Sequence, residues 1–355
     1  MWSANRLRLA ALLVLPWLAG CTAIEDRLLA RAASRAATES ADALFREDAL
    51  RALICGSSSP LAHPTRAKSC TAVFAAGRLW VVDVGPGSWN RVALWRIPGE
   101  RIGALLLTHF HSDHIGELGE WNLQTWVAGR RSALRVFGPA GVARVVAGFA
   151  EAYALDSRYR IAHHGAELLP PEAGRMRALP IALDPGGAPT LVHEAEGLRI
   201  SAFAVAHEPA TPALGYRFDW RGRSVVVSGD TAASAGLAAA ARGADLLVHD
   251  ALAPQIVEAI GKAAADAGRA RVAKVMRDIP SYHATPLEAA ALANEAGVRL
   301  LVLSHLVPPP PNALAARIFA RGVDALREGD WLLADDGLLV ELPLDSDRIE
   351  TRELE

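Results

Sequence analysis

Short apolar runs punctuate the chain: Leu50–Ile54, Val73–Ala75, Leu79–Val84, Ala104–Thr108, Leu134–Phe137, Ile200–Val205, Ser224–Ser228, Asp245–His249 and Arg299–Ser304. Apolar stretches this short, bounded by turn-forming residues, predict buried strands. Between them lie segments of helical character, notably Ala140–Tyr153, Thr231–Arg242 and Pro286–Ala296. Strands alternating with helices predict an α/β domain, here at residues 49–343. Asp83-Val84-Gly85-Pro86-Gly87 follows a strand and predicts a tight turn. Residues 162–189, rich in Pro, Gly and His, read as an insertion rather than core. Residues 21–48 are rich in Ala, Arg and Glu with no Gly or Pro, and predict a tether or an N-terminal helix. Residues 344–355 read as a charged tail outside the fold.

The first twenty residues follow another pattern. Arg6 and Arg8 precede an apolar run from Leu9 to Leu18. A spanning helix needs about 20 apolar residues, so this run reads as a signal-peptide core, with an uncleaved N-terminal anchor as the alternative. It ends in Leu18-Ala19-Gly20-Cys21, which resembles the bacterial lipobox. That resemblance implies cleavage before Cys21 and lipid modification of its thiol. Several acyl chains would then hold the protein on a membrane. Thr22, in place of the Asp usual in inner-membrane retention, points to the outer membrane and a periplasm-facing, oxidising location.

Composition adds bounds. The chain has 355 residues, 51% hydrophobic and 21% charged, which excludes a disordered protein. Its 37 basic and 39 acidic residues give a net charge of −2. Loss of the leader removes two arginines and no acid, leaving −4. Such a balance offers no electrostatic footprint for a polyanion, so nucleic acid is not the expected partner. Three cysteines exclude a disulfide scaffold and leave no CxxC site. With Cys21 set aside, Cys55 and Cys70 are either a pair bridged across 15 residues or two buried thiols.

The eleven histidines carry more information because many stand in short motifs. The run Ala104–Thr108 leads into His109-Phe110-His111-Ser112-Asp113-His114, four potential ligands within six residues. In an extended segment residues two apart point the same way, so His109 and His111 can share one ion. Asp113 and His114, one turn on, reach a second. Imidazole and carboxylate without sulfur suit Zn²⁺, with Mn²⁺ or Fe²⁺ as alternatives.

This H-x-H-x-D-H string resembles the metallo-β-lactamase superfamily. Further along, in the same order, come Ala206-His207 before Leu214-Gly215-Tyr216-Arg217, then Ser228-Gly229-Asp230-Thr231, and Leu303-Ser304-His305. The resemblance implies a four-layer αββα sandwich. It also implies one ion held by His109, His111, His207 and Asp230, and a second by Asp113, His114, His305 and the shared Asp230. Within the superfamily the ribonuclease Z and arylsulfatase-like branch is the nearest in motif. Cys55-Gly56-Ser57-Ser58-Ser59-Pro60 stands at its G-T-G-S-P-like loop. Leu246–Asp250 resembles its H-E-A-T segment, and Tyr282-His283-Ala284-Thr285 its H-S-T run.

What the resemblance implies is a binuclear ester hydrolase in which a hydroxide bridging the two ions attacks a phosphoryl or sulfuryl centre. Asp113, His283, His249 and Asp250 make up the expected catalytic set. His283 is the candidate general acid, and His249 and Asp250 orient it or a metal ligand. Asp250 replaces a longer Glu, which puts its reach to His283 in question. A small phosphodiester or aryl sulfate is the expected substrate. The alternatives are a lactone or β-lactam hydrolase and a non-catalytic metal-binding lipoprotein. His163 and His164 in the insertion, with Trp121, are candidates for a substrate pocket, although Trp121 and Trp126 also suit core packing. His63 and His193 read as ordinary polar residues. The oligomeric state is not legible; the resemblance is compatible with a dimer.

Overall fold

The computed structural model describes residues 24–34 and 38–354. The leader and Cys21 lie outside the described residues. The chain divides between Ala41 and Asp42 into two units. The first contains a helix through residues 24–34. The second begins earlier than residue 49, because a 3₁₀ turn at Asp42–Phe45 buries Leu44 and Phe45. The Phe45 ring meets Phe74 edge-on at 5.2 Å.

Fifteen strands are described: β1 (Ala49–Gly56), β2 (Cys70–Ala75), β3 (Arg78–Val82), β4 (Ile102–Leu106), β5 (Leu134–Gly138), β6 (Met176–Pro180), β7 (Thr190–Ala195), β8 (Leu198–Val205), β9 (Ala213–Trp220), β10 (Arg223–Val227), β11 (Leu246–Leu252), β12 (Leu300–Val307), β13 (Asp330–Leu333), β14 (Leu338–Pro343) and β15 (Glu350–Glu353). They form two mixed sheets, ordered β15-β14-β1-β2-β3-β4-β5-β6 and β13-β12-β11-β10-β9-β8-β7. In β11 the period of two divides the side chains between two cores. Leu246 and Val248 join Trp80, Leu106, Tyr216 and Val302 between the sheets. Leu247 faces the other way, with Leu301 and Leu303, onto Leu237, Ala289 and Ala293 of the covering helices. A strand buried on both faces reads as a continuous apolar run, which is why β4, β10, β11 and β12 are visible in the sequence. Two sheets face to face with helices on their outer faces make an αββα sandwich.

Two segments differ from their sequence reading. The stretch 162–189 is not wholly an insertion, because Met176–Pro180 pairs in parallel with β5 as the edge of the first sheet. Its half-exposed side chains give the strand no apolar signature. The charged residues 350–353 are likewise an edge strand, paired with β14, and Arg352 reaches Glu341 at 3.0 Å. Charge on an edge strand blunts pairing with other chains.

Cys55 and Cys70 are joined in a disulfide, at the point where β1 leaves and β2 enters. It closes the loop 57–69. That loop is pinned by Asp336, which accepts from Ser57 N, Ser57 Oγ and Ala67 N at 2.9, 2.8 and 2.6 Å. On its other side Leu306 N donates to Ser57 O at 2.9 Å, one residue beyond His305. Replacing both cysteines by serine is expected to lower unfolding stability by about 3 kcal/mol, read by urea denaturation. Reduction of the native protein should add about 2 Da to its intact mass; an unchanged mass would rule the bridge out.

Candidate metal centre

β3 and β4 lie parallel, and at their C-terminal ends the chain builds the site. Asp83 follows β3 with φ of 60°, and its two carboxylate oxygens accept from Thr108 N and Thr108 Oγ1, each at 2.8 Å. This clasp fixes the exit of the strand that delivers His109. His111 is extended, and the short helix Ser112–Ile115 then turns Asp113 and His114 inward. Gly229, with φ of 65°, lets the S-G-D-T turn pass close to β9. A Cβ there would sit 2.7 Å from Leu214 O. His305 ends its motif with φ of 44°, a conformation that non-glycine residues hold only when their surroundings impose it.

Ligand atoms of His109, His111, His207 and Asp230 all lie within 4.8 Å of one another, and so do those of Asp113, His114 and His305. Asp230 touches both groups. Its Oδ2 is 3.9 Å from His109 Nε2, 3.9 Å from His207 Nε2 and 3.2 Å from His114 Nε2. Its Oδ1 is 3.3 Å from His305 Nδ1. All of these residues except His111 are buried, His114 completely.

The donor set fits divalent cations. Buried polar atoms are almost always hydrogen-bonded, yet His114 Nε2, His305 Nδ1 and Asp230 Oδ1 have no such bond. The far sides of the rings are held instead. His114 Nδ1 donates to Asp83 Oδ2 at 2.7 Å, and His207 Nδ1 to Tyr282 O at 2.9 Å. The Thr108 hydroxyl, donating to Asp83, lies 3.0 Å from His109 Nδ1 and accepts from it. Each of these bonds leaves Nε2 as the ligating atom. Burial holds His109, His111 and His207 below the usual histidine range, and neighbouring imidazolium charge lowers His109 and His111 further. The lowering favours the neutral form that binds metal. Burial pushes Asp230 up, but His114 and His305 outweigh it and keep the carboxyl well below its ordinary value. Burial would lower His114, but Asp230 and Asp83 raise it well above its ordinary value.

Beside this cluster stands a pair suited to proton transfer. Asp250 Oδ2 accepts from His283 Nδ1 at 2.8 Å, so the shorter carboxylate does reach the histidine that its length put in question. His249 Nδ1 lies 2.8 Å from Asp250 O and 3.2 Å from Oδ1, holding Asp250 from the other side. Burial lowers His283, but the bond to Asp250 and the charge of Asp230 raise it above its ordinary value on balance.

The proposed pocket residues do not gather here. Trp121 is fully buried, its indole donating to Ser88 Oγ at 2.9 Å and its ring edge-on to Trp89 at 5.1 Å. It is a core residue with no face open to a substrate. Trp126 is buried against Leu123 and Leu169. His163 and His164 end the exposed helix Ala154–His164 and join no ligand cluster among the described residues. His193 lies 4.6 Å from the Trp80 ring, and His63 Nδ1 accepts from Thr65 N at 3.3 Å. Asp83 was legible as a turn but not as the group that orients His114. The available signal was an acid at the end of a buried strand beside the strand bearing the histidines.

A family profile described as a β-lactamase superfamily domain matches residues 80–306. The chain belongs to the β-lactamase superfamily. It is 37% identical over 281 residues to the protein named Ribonuclease Z of Mycolicibacterium paratuberculosis, covering 76% of this chain and 93% of that protein. Among solved structures, the metallo-β-lactamase fold protein YhfI from Bacillus subtilis superposes with a TM-score of 0.58 at 19% identity, covering 83% of this chain and 99% of that one. Human tRNase Z, short form, gives 0.57 at 20% identity, over 82% of this chain and 99% of that one. This β-lactamase superfamily member is a metal-dependent hydrolase, with histidine and aspartate clusters suited to divalent ions.

One expectation is overturned. Nucleic acid was set aside on charge balance, yet the relatives of this superfamily member are ribonucleases by name. Whole-chain charge averages over the entire surface, whereas a substrate meets the local field of the cleft, where divalent ions, once bound, would be the largest charges. The expected small-ester substrate has no support.

Asp83→Ala is expected to weaken metal affinity about 10–100-fold with the ligands intact, measured by competition with a chromogenic chelator. Unchanged affinity would show that Asp83 shapes the turn and nothing more.

Proposed function

We propose that this chain cleaves phosphodiester bonds in RNA, using two divalent ions, zinc being the best match to a nitrogen and oxygen donor set. The reading is carried by Asp230, a buried carboxylate within 4 Å of ligand atoms in both histidine groups, in a chain 37% identical to a Ribonuclease Z. When bound, two such ions supply an activated water and neutralise charge developing on the phosphoryl oxygens.

The remaining work falls to the chain. His109, His111 and His207 would hold one ion and Asp113, His114 and His305 the other, with Asp230 placed to serve both. Asp83, Thr108 and the Tyr282 carbonyl keep the rings from turning. His283, with Nδ1 committed to Asp250, keeps its Nε2 proton for the departing ribose oxygen. Asp250 stabilises the imidazolium beforehand and keeps the ring in place. With Cys21 as a lipid anchor, the RNA encountered would be extracytoplasmic.

The test is metal-loaded protein on an end-labelled RNA bearing a single-stranded 3′ extension, beside p-nitrophenyl sulfate and a lactone panel. RNA cleavage that chelation stops and added metal restores is expected. Turnover of lactone or sulfate alone, or two ions bound with no turnover of anything, would overturn the proposal.

A further inference from the structure

The metal ligands lie at or just beyond the C-terminal ends of the strands. At the opposite ends, the starts of β3, β4 and β5 and the turn between β7 and β8 surround a cavity of about 310 Å³. Five residues of strand separate the two places along β4, roughly 15–20 Å. The cavity gathers more positive than negative charge, with Arg78, Arg130 and Arg135 against Glu196 among its lining residues.

Arg135, on β5, gives Nε and Nη2 to Gly103 O at 3.0 and 2.9 Å and lies over the Trp80 ring at 5.4 Å. Its Nη1 makes no hydrogen bond among the described residues. Directly across the ladder its partner is Arg177, a like-charge pairing that costs stability. Arg78 starts β3 at the cavity rim. Burial pushes Arg135 down from its ordinary value, and Arg78 and Arg177 push it further.

Behind them Arg130 is buried, and all of its bonds go to uncharged oxygens: Ala173 O, Ser132 O, Asn122 O and Oδ1, and Thr125 Oγ1. Burial alone lowers it to about 10. None of these four arginines forms an ion pair among the described residues, and Glu196 is the one carboxylate lining the cavity. At buried Arg130 and half-buried Arg135, charge without a counter-ion is unfavourable, whereas Arg78 and Arg177 are exposed. A guanidinium with a free edge, in a half-enclosed basic cavity, matches the geometry of a phosphate.

We infer that this cavity binds the phosphate group of a small molecule, free phosphate or the terminal phosphate of a mononucleotide, with Arg135 Nη1 and Arg78 as its donors. The inference does not depend on the reaction proposed above. The test is calorimetric titration of inorganic phosphate, and separately of a 5′-mononucleotide, into the metal-loaded protein. Arg78→Gln/Arg135→Gln is the comparison, with metal content and melting temperature as checks of integrity.

Wild type is expected to bind at a site that the double variant loses or weakens at least about tenfold, with bound metal unchanged. Tighter binding of the nucleotide than of phosphate would identify the former as the ligand, and equal binding the latter. Should the double variant not fold, Arg78→Glu, at an exposed position, is expected to weaken the same site. Equal stoichiometry and affinity in wild type and variant, or phosphate binding that vanishes when the metal is removed, would overturn the inference.

Discussion

Replacing Asp230 by alanine is expected to lower hydrolysis more than about 10³-fold, beyond the 10–100-fold that loss of an orienting partner costs. The reason is its position. The two oxygens of this one buried carboxylate lie within 4 Å of His109, His114, His207 and His305, so its loss opens both ligand groups at once. The other ligands divide differently. His111 is exposed and belongs to one group only. Metal content should follow: two ions per chain in the wild type, one in His111→Ala, and fewer than one in Asp230→Ala, by elemental analysis of desalted protein. Asp230→Asn keeps the volume but removes the charge, and should resemble the alanine variant in metal content while preserving the fold by circular dichroism. Two ions retained in Asp230→Ala, or turnover within tenfold of wild type, would sink the shared-ligand assignment.

Much of this site was legible along the chain because metal ligands are few in type and come in order. The H-x-H-x-D-H run and the S-G-D-T turn follow strands buried along their whole length, and Leu303-Ser304-His305 lies within another; such strands advertise themselves as apolar runs. The edge strands β6, β7, β13 and β15 are half-exposed or exposed and carry no such run, so β6 read as insertion, β15 as tail, and β7 and β13 went unmarked. Partners defined by tertiary approach were equally hidden. Nothing near Asp83 in sequence indicates that it meets His114 thirty-one positions later. The charge balance misled for a related reason. It counts the arginines around the far cavity and the acids of the edge strands alike, and neither bears on the field at the metal centre. Asp250 shows the converse. Comparing side-chain lengths put the contact in question, but the backbone brings the shorter carboxylate to 2.8 Å from its histidine.

His283→Ala separates a proton donor from a structural histidine. If His283 protonates the departing oxygen, its removal should cost in proportion to how badly that oxygen needs a proton. An alkoxide leaving from RNA is a poor leaving group, and the expected loss is about 10²–10⁴-fold in kcat, the usual range for general acid catalysis. A p-nitrophenolate leaves without help, so on bis(p-nitrophenyl) phosphate the same variant should stay within about tenfold of wild type. Bound metal should change little: His283 and Asp250 also have ligand atoms within 4.8 Å of Asp230 and His305, but His109, His111 and His207 in one group and Asp113 and His114 in the other remain. Asp250→Asn tests the coupling. It keeps a hydrogen-bonding oxygen near His283 Nδ1 but removes the negative charge that stabilises the imidazolium, so it should fall between wild type and His283→Ala on RNA and show no effect on the activated ester. A loss of equal size on both substrates would mean that His283 supports the architecture of the site instead of moving a proton.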